Sequence, residues 1–472
     1  MRRLQPEDLL LVLGARPRAD VGAWLRDGLR DAIATGRLEA GATLPSSRSA
    51  AAGLGVARGT VAAAVDELVG EGVLESRPRS RVVVADLDRR PRGTAPGAAR
   101  SGAAAERPAS VGAPDPALFP RAAWARAVRD AMRELPDFEL GYPDPQGQLG
   151  LRQELAAHLR TARAAPVEAE DVVIVSGVAQ GLALLGEVLA GGDGGRRVVV
   201  EDPASPGVVA QLRGAGLGVV PVSVDGRGLR TDALPDAAAA VVTPAHQFPL
   251  GVVLAPDRRR ELVAWARDGG RLVLEDDYDA ELRYDRQPVG ALRGLDPEHV
   301  ALLGSVSKLL SPALRLGWVV APPGVRDALV DAKRRADLGC SVPEQAAFAR
   351  LIADGAYARH LRRARLTYKR RRGVLLDALA RDAPRLVVEG VAAGLHIVVR
   401  LPEGGEARAV SALRDAGVPA EELSGTSAGA RGSGVVLGAA RVQGSAVPRV
   451  VEILRSSAEG AGDHVQHASH RR

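Results

Sequence analysis

The stretch VALLGSVSKLLSPALRLGW (300–318) decides the reading of this chain. Its first six residues form a short, near-continuous apolar run, as expected of a strand buried on both faces. Ser305, Ser307 and Lys308 follow at the strand end, with Arg315 seven residues beyond the lysine. A lysine that adds to a carbonyl must be able to lose its proton, which arginine cannot do. Hydroxyls and a guanidinium are the groups that hold a phosphate. The chain has three lysines, Lys308, Lys333 and Lys369, so one in this setting stands apart. The bland alternative is a surface lysine beside a helix.

Upstream, RLVLEDD (271–277) is a second apolar strand, ending in Glu275, Asp276 and Asp277 with Tyr278 next. Carboxylates at the C-terminal end of a parallel strand lie where α/β proteins bind ligands. They suit an acid partner for a ring nitrogen or, equally, a metal. VVIV (172–175) runs into Ser176-Gly177-Val178-Ala179-Gln180-Gly181-Leu182, a small-residue turn whose following helix can cradle phosphate. RVVVED (197–202), GVVPV (218–222) and AVVTP (240–244) are further apolar runs with helix-like segments between several of them. The pattern predicts an α/β domain with a mostly parallel sheet. Arg-rich helical patterns then run from about 325 to about 383. LHIVVRLP (395–402) and VVLGAARV (435–442) read as strands of a smaller α+β lobe.

The chain is 472 residues long, 46% hydrophobic and 25% charged, enough for two or more packed domains and incompatible with wholesale disorder. The net charge of +6 is too small for a generally basic nucleic-acid coat, so any such site must be local. One cysteine, Cys340, excludes an intrachain disulfide framework and a cysteine-based zinc cluster and fits a reducing, cytoplasmic setting. No run reads as membrane-spanning, and the apolar residues 9–15 follow Glu7 and Asp8, the wrong flank for a signal peptide. Residues 86–116, DLDRRPRGTAPGAARSGAAAERPASVGAPDP, carry no apolar period and read as a flexible linker. The expected organisation is therefore 1–85, linker 86–116, body 117–460 and a disordered tail 461–472.

Ahead of the linker, residues 22–36 place Trp24, Leu25, Leu29, Ala32 and Ile33 on one helix face, with Gly36 as the stop. Ser46 or Ser47 can cap a short helix through Leu54, Gly55 supplies a tight turn, and a second helix runs from about Ala57 to Val69. That is a helix-turn-helix, whose second helix can enter a major groove. Ser46 and Arg48 start the first helix, Arg58 and Thr60 the second, and Arg77 and Arg79 sit in a two-stranded wing. Phosphate contacts suit the first pair and base edges the second.

These residues resemble the GntR-type winged helix-turn-helix, through Leu44-Pro45-Ser46-Ser47-Arg48, Leu54-Gly55, Ala57-Arg58-Gly59-Thr60-Val61 and Leu68-Val69-Gly70-Glu71-Gly72. Ala57 replaces the usual serine, and Ser76-Arg77-Pro78-Arg79-Ser80-Arg81 the usual glycine-rich wing tip. Residues 117–455 resemble a fold-type-I aminotransferase domain. With the head in front, the chain most resembles the MocR/GabR group of regulators. Thr243-Pro244, His246-Gln247-Phe248-Pro249 and Gly251 carry that likeness, as do 275–284 and the lysine motif, with Gly141-Tyr142-Pro143 upstream. The resemblance implies a homodimeric, pyridoxal 5'-phosphate-dependent regulator that binds a double-stranded DNA operator and senses an amine, an amino acid or the cofactor. It implies Lys308 as the Schiff-base lysine, Asp276 on the pyridine nitrogen and Tyr278 on the 3-oxygen. Val178 and Ala179 N–H groups, Ser305, Ser307 and Arg315 would hold the phosphate, and Tyr142 would reach the phosphate of a neighbouring subunit.

Three departures qualify the likeness. Ser205 stands where the group has a tyrosine stacked on the cofactor. No asparagine exists to approach the 3-oxygen, leaving His246 or Gln247. The arginine that grips a substrate carboxylate is not evident, with Arg431 or Arg441 as substitutes. Two rival readings are a working aminotransferase with an attached DNA-binding head, and a degenerate body that has lost its cofactor.

Overall fold

The computed structural model describes residues 4–17, 19–78, 81–85, 110–192, 195–284, 289–429 and 432–469. Contacts divide the chain into two units, 1–105 and 106–472.

In the first unit, α1 (Pro6–Leu13), α2 (Val21–Ala34), α3 (Ser47–Leu54) and α4 (Arg58–Gly70) precede a hairpin of β1 (Leu74–Arg77) and β2 (Arg81–Val84). The predicted face of α2 is the one buried: Leu25, Leu29, Ala32 and Ile33 pack with Leu54, Val61, Val65 and Leu68. Each such leucine contributes about 1.5–3 kcal/mol by leaving water. Ser46 caps α3 by accepting from the Ser49 N–H at 3.2 Å, and Gly55 ends it at φ 62°, a left-handed turn that glycine adopts without strain. The strands pair antiparallel, Leu74 opposite Val84 and Arg77 opposite Arg81, so β1 runs on through Ser76 and Arg77, residues expected at the wing tip.

The second unit is built on an eight-stranded sheet. Its strands are β3 (Val172–Val175), β4 (Arg197–Asp202), β5 (Gly218–Asp225), β6 (Gly228–Leu229), β7 (Ala239–Val242), β8 (Leu272–Asp276), β9 (Val300–Ser305) and β10 (Gly317–Val320), in the order β3-β10-β9-β8-β7-β4-β5-β6. β9, β8, β7, β4 and β5 are parallel, whereas β10 runs antiparallel between β3 and β9. Every residue of β3, β7, β9 and β10 is buried, as the continuous apolar runs predicted. The helices of this unit are α5 (Arg121–Glu134), α6 (Leu149–Arg163), α7 (Val178–Gly191), α8 (Pro206–Gly214), α9 (Pro256–Asp268), α10 (Pro323–Asp337), α11 (Val342–Ala353) and α12 (Ala356–Asp382). One core gathers residues of α5, α6, α11 and α12 with β3 and β10; another joins α7, α8 and α10 to alternate residues of the same sheet. The smaller lobe is a sheet of β11 (Val388–Glu389), β12 (Ile397–Arg400), β13 (Ala420–Glu422) and β14 (Gly434–Leu437), ordered β11-β12-β14-β13, with α13 (Glu406–Asp415) and α14 (Val447–Ser469).

Two expected boundaries differ. Residues 110–116, read as linker, belong to the body: Val111 is 1% exposed among Val224, Leu250, Val398, Leu423 and Val436. An isolated valine between glycine and serine carries no period, so its anchoring was invisible locally. The tail read as disordered is helical through Ser469, because α14 is nucleated by its packed first half and its continuation contains no proline.

Candidate functional site

Four parallel strands end at one pocket of about 360 Å³, as expected at the C-terminal edge of such a sheet. Asp276 lines it from β8, Thr243 from the end of β7, Ser205 from beyond β4, and Lys308 from the turn after β9. That turn is fixed by Val306, Leu309 and Leu310, which are buried, and by the Val306 N–H donating to the Leu316 carbonyl at 3.1 Å. Lys308 has no hydrogen bond or ion pair among the described residues. Burial holds its amine below the ordinary lysine range, against the pull of Asp276, Asp279 and Glu421.

The acidic strand end does not converge as a metal site would. Side chains alternate along a strand, so Glu275 and Asp277 part from Asp276. Glu275 accepts from the Leu292 N–H at 2.7 Å, and Asp277 pairs with the buried Arg163 at 2.6 Å. Asp276 alone faces the pocket, its Oδ1 buried without a hydrogen-bond partner. Burial, reinforced by the charge of Asp277, pushes its carboxyl up to about 7. No cluster of three potential metal ligands occurs among the described residues.

Beside this pocket, Gly177 (φ 115°) leads into α7, whose first N–H groups at Val178 and Ala179 lack intrahelical acceptors, as at any helix start. The Arg315 guanidinium stands there: a Cβ on residue 177 would lie 3.4 Å from it, an ordinary contact, so it is the positive φ rather than the approach that calls for glycine. Ser305 Oγ accepts from the Ser307 N–H at 3.3 Å. Arg315 does not line the Lys308 pocket but a separate cavity shared with Ser176, Asp337 and Cys340, and it has no ion pair among the described residues.

Tyr278 lines the pocket, but its hydroxyl donates to the His246 carbonyl at 3.0 Å. His246, expected on the cofactor, is instead behind Tyr278, where its Nδ1 meets Asp279 at 2.9 Å and its ring packs on His396. The physical reason is the buried Asp279 carboxylate, which draws the imidazole away from the pocket wall. Gln247 is spent on the backbone, donating to the Pro203 and Phe248 carbonyls. Tyr142 is 90% exposed and not on this wall. Of the carboxylate-gripping candidates, Arg441 does not line the pocket and Arg431 lies outside the described residues.

Sequence reading missed four wall residues that bear on the chemistry. Ser110 and Gly112 come from the supposed linker, and a Cβ on Gly112 would stand 3.4 Å from Lys308 Nζ. Glu421 comes from β13 of the smaller lobe. Glu201, from β4, also lines the pocket; it accepts from the Thr243 hydroxyl at 2.6 Å, and burial raises its carboxyl to about 7.

In the first unit, Arg48 and Arg58 are exposed and Thr60 half-buried, on α3 and at the start of α4. Ala57 gives α4 no side-chain cap, leaving first-turn N–H groups open. Arg77 is exposed and pairs with Glu75 at 3.2 Å. Arg79 lies outside the described residues.

A winged helix-turn-helix followed by an aminotransferase-type body defines a class of DNA-binding regulator. Residues 24–84 match the bacterial regulatory proteins of the gntR family, and residues 111–424 match aminotransferase class I and II. The pyridoxine biosynthesis transcriptional regulator PdxR of Corynebacterium glutamicum is 35% identical over 404 residues, 83% of this chain and 86% of that one. The probable rhizopine catabolism regulatory protein MocR of Rhizobium meliloti is 32% identical over 414 residues, 83% and 84% of the two chains. Among solved structures, the α-aminoadipate aminotransferase LysN of Thermus thermophilus, complexed with N-(5'-phosphopyridoxyl)-L-leucine, superposes with a TM-score of 0.66 at 28% identity, over 75% of this chain and 92% of that one. The chain belongs to the MocR/GabR group of GntR-type transcriptional regulators, and its body has the fold-type-I aminotransferase architecture. No described helix is long and apolar enough to cross a membrane.

Proposed function

We propose that this regulator holds pyridoxal phosphate at Lys308 and alters the head's grip on its operator when a small amine, an amino acid or the cofactor itself engages that pocket. The observation that carries this is the meeting of two partnerless groups, the Lys308 amine and Asp276 Oδ1, on one wall. A protonated ring nitrogen would satisfy Asp276, and a depressed amine is what a Schiff-base lysine needs. Pyridoxal phosphate, when bound, supplies an electrophilic carbonyl carbon to which amines add.

The chain's own groups would do the rest. Lys308 holds the carbonyl end and Asp276 accepts the ring N–H. Val178 and Ala179 N–H groups, Ser305, Ser307 and Arg315 hold the phosphate, which the open start of α7 and the neighbouring guanidinium support. Tyr278 meets the ring's 3-oxygen from the wall. Tyr142, exposed in the single chain, reaches the phosphate of a partner subunit, so the working form is a homodimer. Ser205 leaves one ring face without an aromatic cover. Ser46, Arg48, Arg58, Thr60, Arg77 and Arg79 contact DNA, and the protein acts in the cytoplasm. Ser110 and Gly112 lie on the pocket wall and lead directly into residues 86–109, which supports a relay between pocket and head.

The relatives named above as regulators support sensing over steady turnover. A sustained reaction between an amino donor and a 2-oxo acid would favour the enzymatic reading instead. The test is fluorescence anisotropy of the full chain on DNA from upstream of its own gene, with and without pyridoxal phosphate and an amine. The expected result is at least a ~5-fold change in affinity, the lower end of ordinary allosteric coupling. Lys308→Ala should bind DNA but not respond. Equal affinities under all conditions in the native protein would refute a sensing body.

A further inference from the structure

The charged groups on the pocket wall are unbalanced. In the described lining of this pocket Glu201, Asp276 and Glu421 face a single cation, Lys308; Arg315 lies outside that lining and is committed to the phosphate in the function proposed above. Asp276 is committed to the ring nitrogen in the function proposed above. Glu201 is engaged by Thr243 from both the hydroxyl and the backbone N–H, at 2.6 and 3.1 Å. Glu421 differs from both. It is half-exposed on β13, the edge strand of the smaller lobe, and has no hydrogen bond or ion pair among the described residues. The charge of Glu421 is felt at Lys308. A carboxylate tail entering beside Lys308 would meet this negative charge with no described arginine in the pocket lining to offset it. A second ammonium would find a partner there.

We infer that the effector read at the Lys308 pocket is an amine carrying a second cationic group and no carboxylate, with Glu421 as the residue that selects it. The inference rests on the function proposed above and narrows its effector class to diamines and related polyamines. The apolar part of the wall, including Val200, Val208 and Phe248, suits the methylene spacer between the two nitrogens.

The test is a titration of the full chain loaded with pyridoxal phosphate, read as the change in its visible absorption. Three amines of one length serve as probes: 1,4-diaminobutane, butylamine and 4-aminobutanoate. L-Alanine represents the α-amino acids. The diamine should half-saturate at a concentration at least ~10-fold below the others, the size expected of one charge-assisted contact. In Glu421→Gln the diamine should fall to the level of butylamine, and Glu421→Asp should restore part of the preference. An amino acid matching the diamine in the native protein would overturn the inference, as would a preference that survives in Glu421→Gln. The native-protein comparison decides even if the variants fail to fold. A native protein with no visible band would overturn the cofactor reading and this inference together, whereas a band without diamine preference would overturn this inference alone.

Discussion

Asp276 shows how a binding site is stored as instability. Its carboxyl is raised to about 7 by burial, so ionising it in the cofactor-free body costs folding free energy. The sign follows from proton linkage. The folded state binds the proton more tightly than the unfolded chain, so the stability associated with this group is full below about pH 4 and is lost as pH rises through about 7. Asp276→Asn, which cannot ionise, should therefore stabilise the cofactor-free protein by roughly 4 kcal/mol at pH 8, with little effect at pH 4. Thermal or urea denaturation at the two pH values checks this; an equal or negative effect at pH 8 would count against it. That Lys308 and Asp276 stand at one strand-end pocket was legible because the chemistry they imply is written within a few residues of a strand end. Ser110, Gly112 and Glu421 were not, since nothing local distinguishes a glycine or glutamate that the fold brings to the pocket from far along the chain.

At the scale of elements, continuous apolar runs announced the parallel strands, and the one-sided pattern of α2 announced its buried face. β10 escaped notice because Gly317–Val320 is only four residues long and follows directly on the lysine turn; pairing with both β3 and β9 makes it a strand. α1 escaped for a similar reason, being eight residues whose order depends on packing Leu9 into the head's core. The helix-turn-helix was legible because its punctuation is chemical: a serine cap, a left-handed glycine, then an arginine at a helix start. In the function proposed above, Arg58, exposed at the first position of α4, would read base edges, whereas Arg48 on α3 would contact phosphate. Arg58→Ala should weaken operator binding by about 1–3 kcal/mol and relax specificity. Arg48→Ala should weaken all sequences alike and reduce the salt slope by about one. Salt-dependent anisotropy on operator and scrambled DNA separates the two, and identical behaviour of the variants would contradict the assignment.

The whole molecule is two packed units joined through a segment whose last residues are part of the pocket. Val111 is buried between the large sheet's edge and the smaller lobe, one residue from Gly112 beside Lys308. The smaller lobe also clamps the end of β4, where Asp202 accepts from the Ser427 hydroxyl at 2.7 Å and the Ala428 N–H at 2.9 Å. A ligand that draws Glu421 toward Lys308 would move this lobe, the Ser205 segment and the root of the linker as one connected set. Regulation so conceived requires first that the pocket holds its cofactor despite Ser205. The most direct measurement is the visible absorption spectrum of the purified full chain with added pyridoxal phosphate, beside Lys308→Ala. The account predicts a yellow band in the native protein that is absent from the variant. No band in the native protein, or an equal band in both, would contradict it.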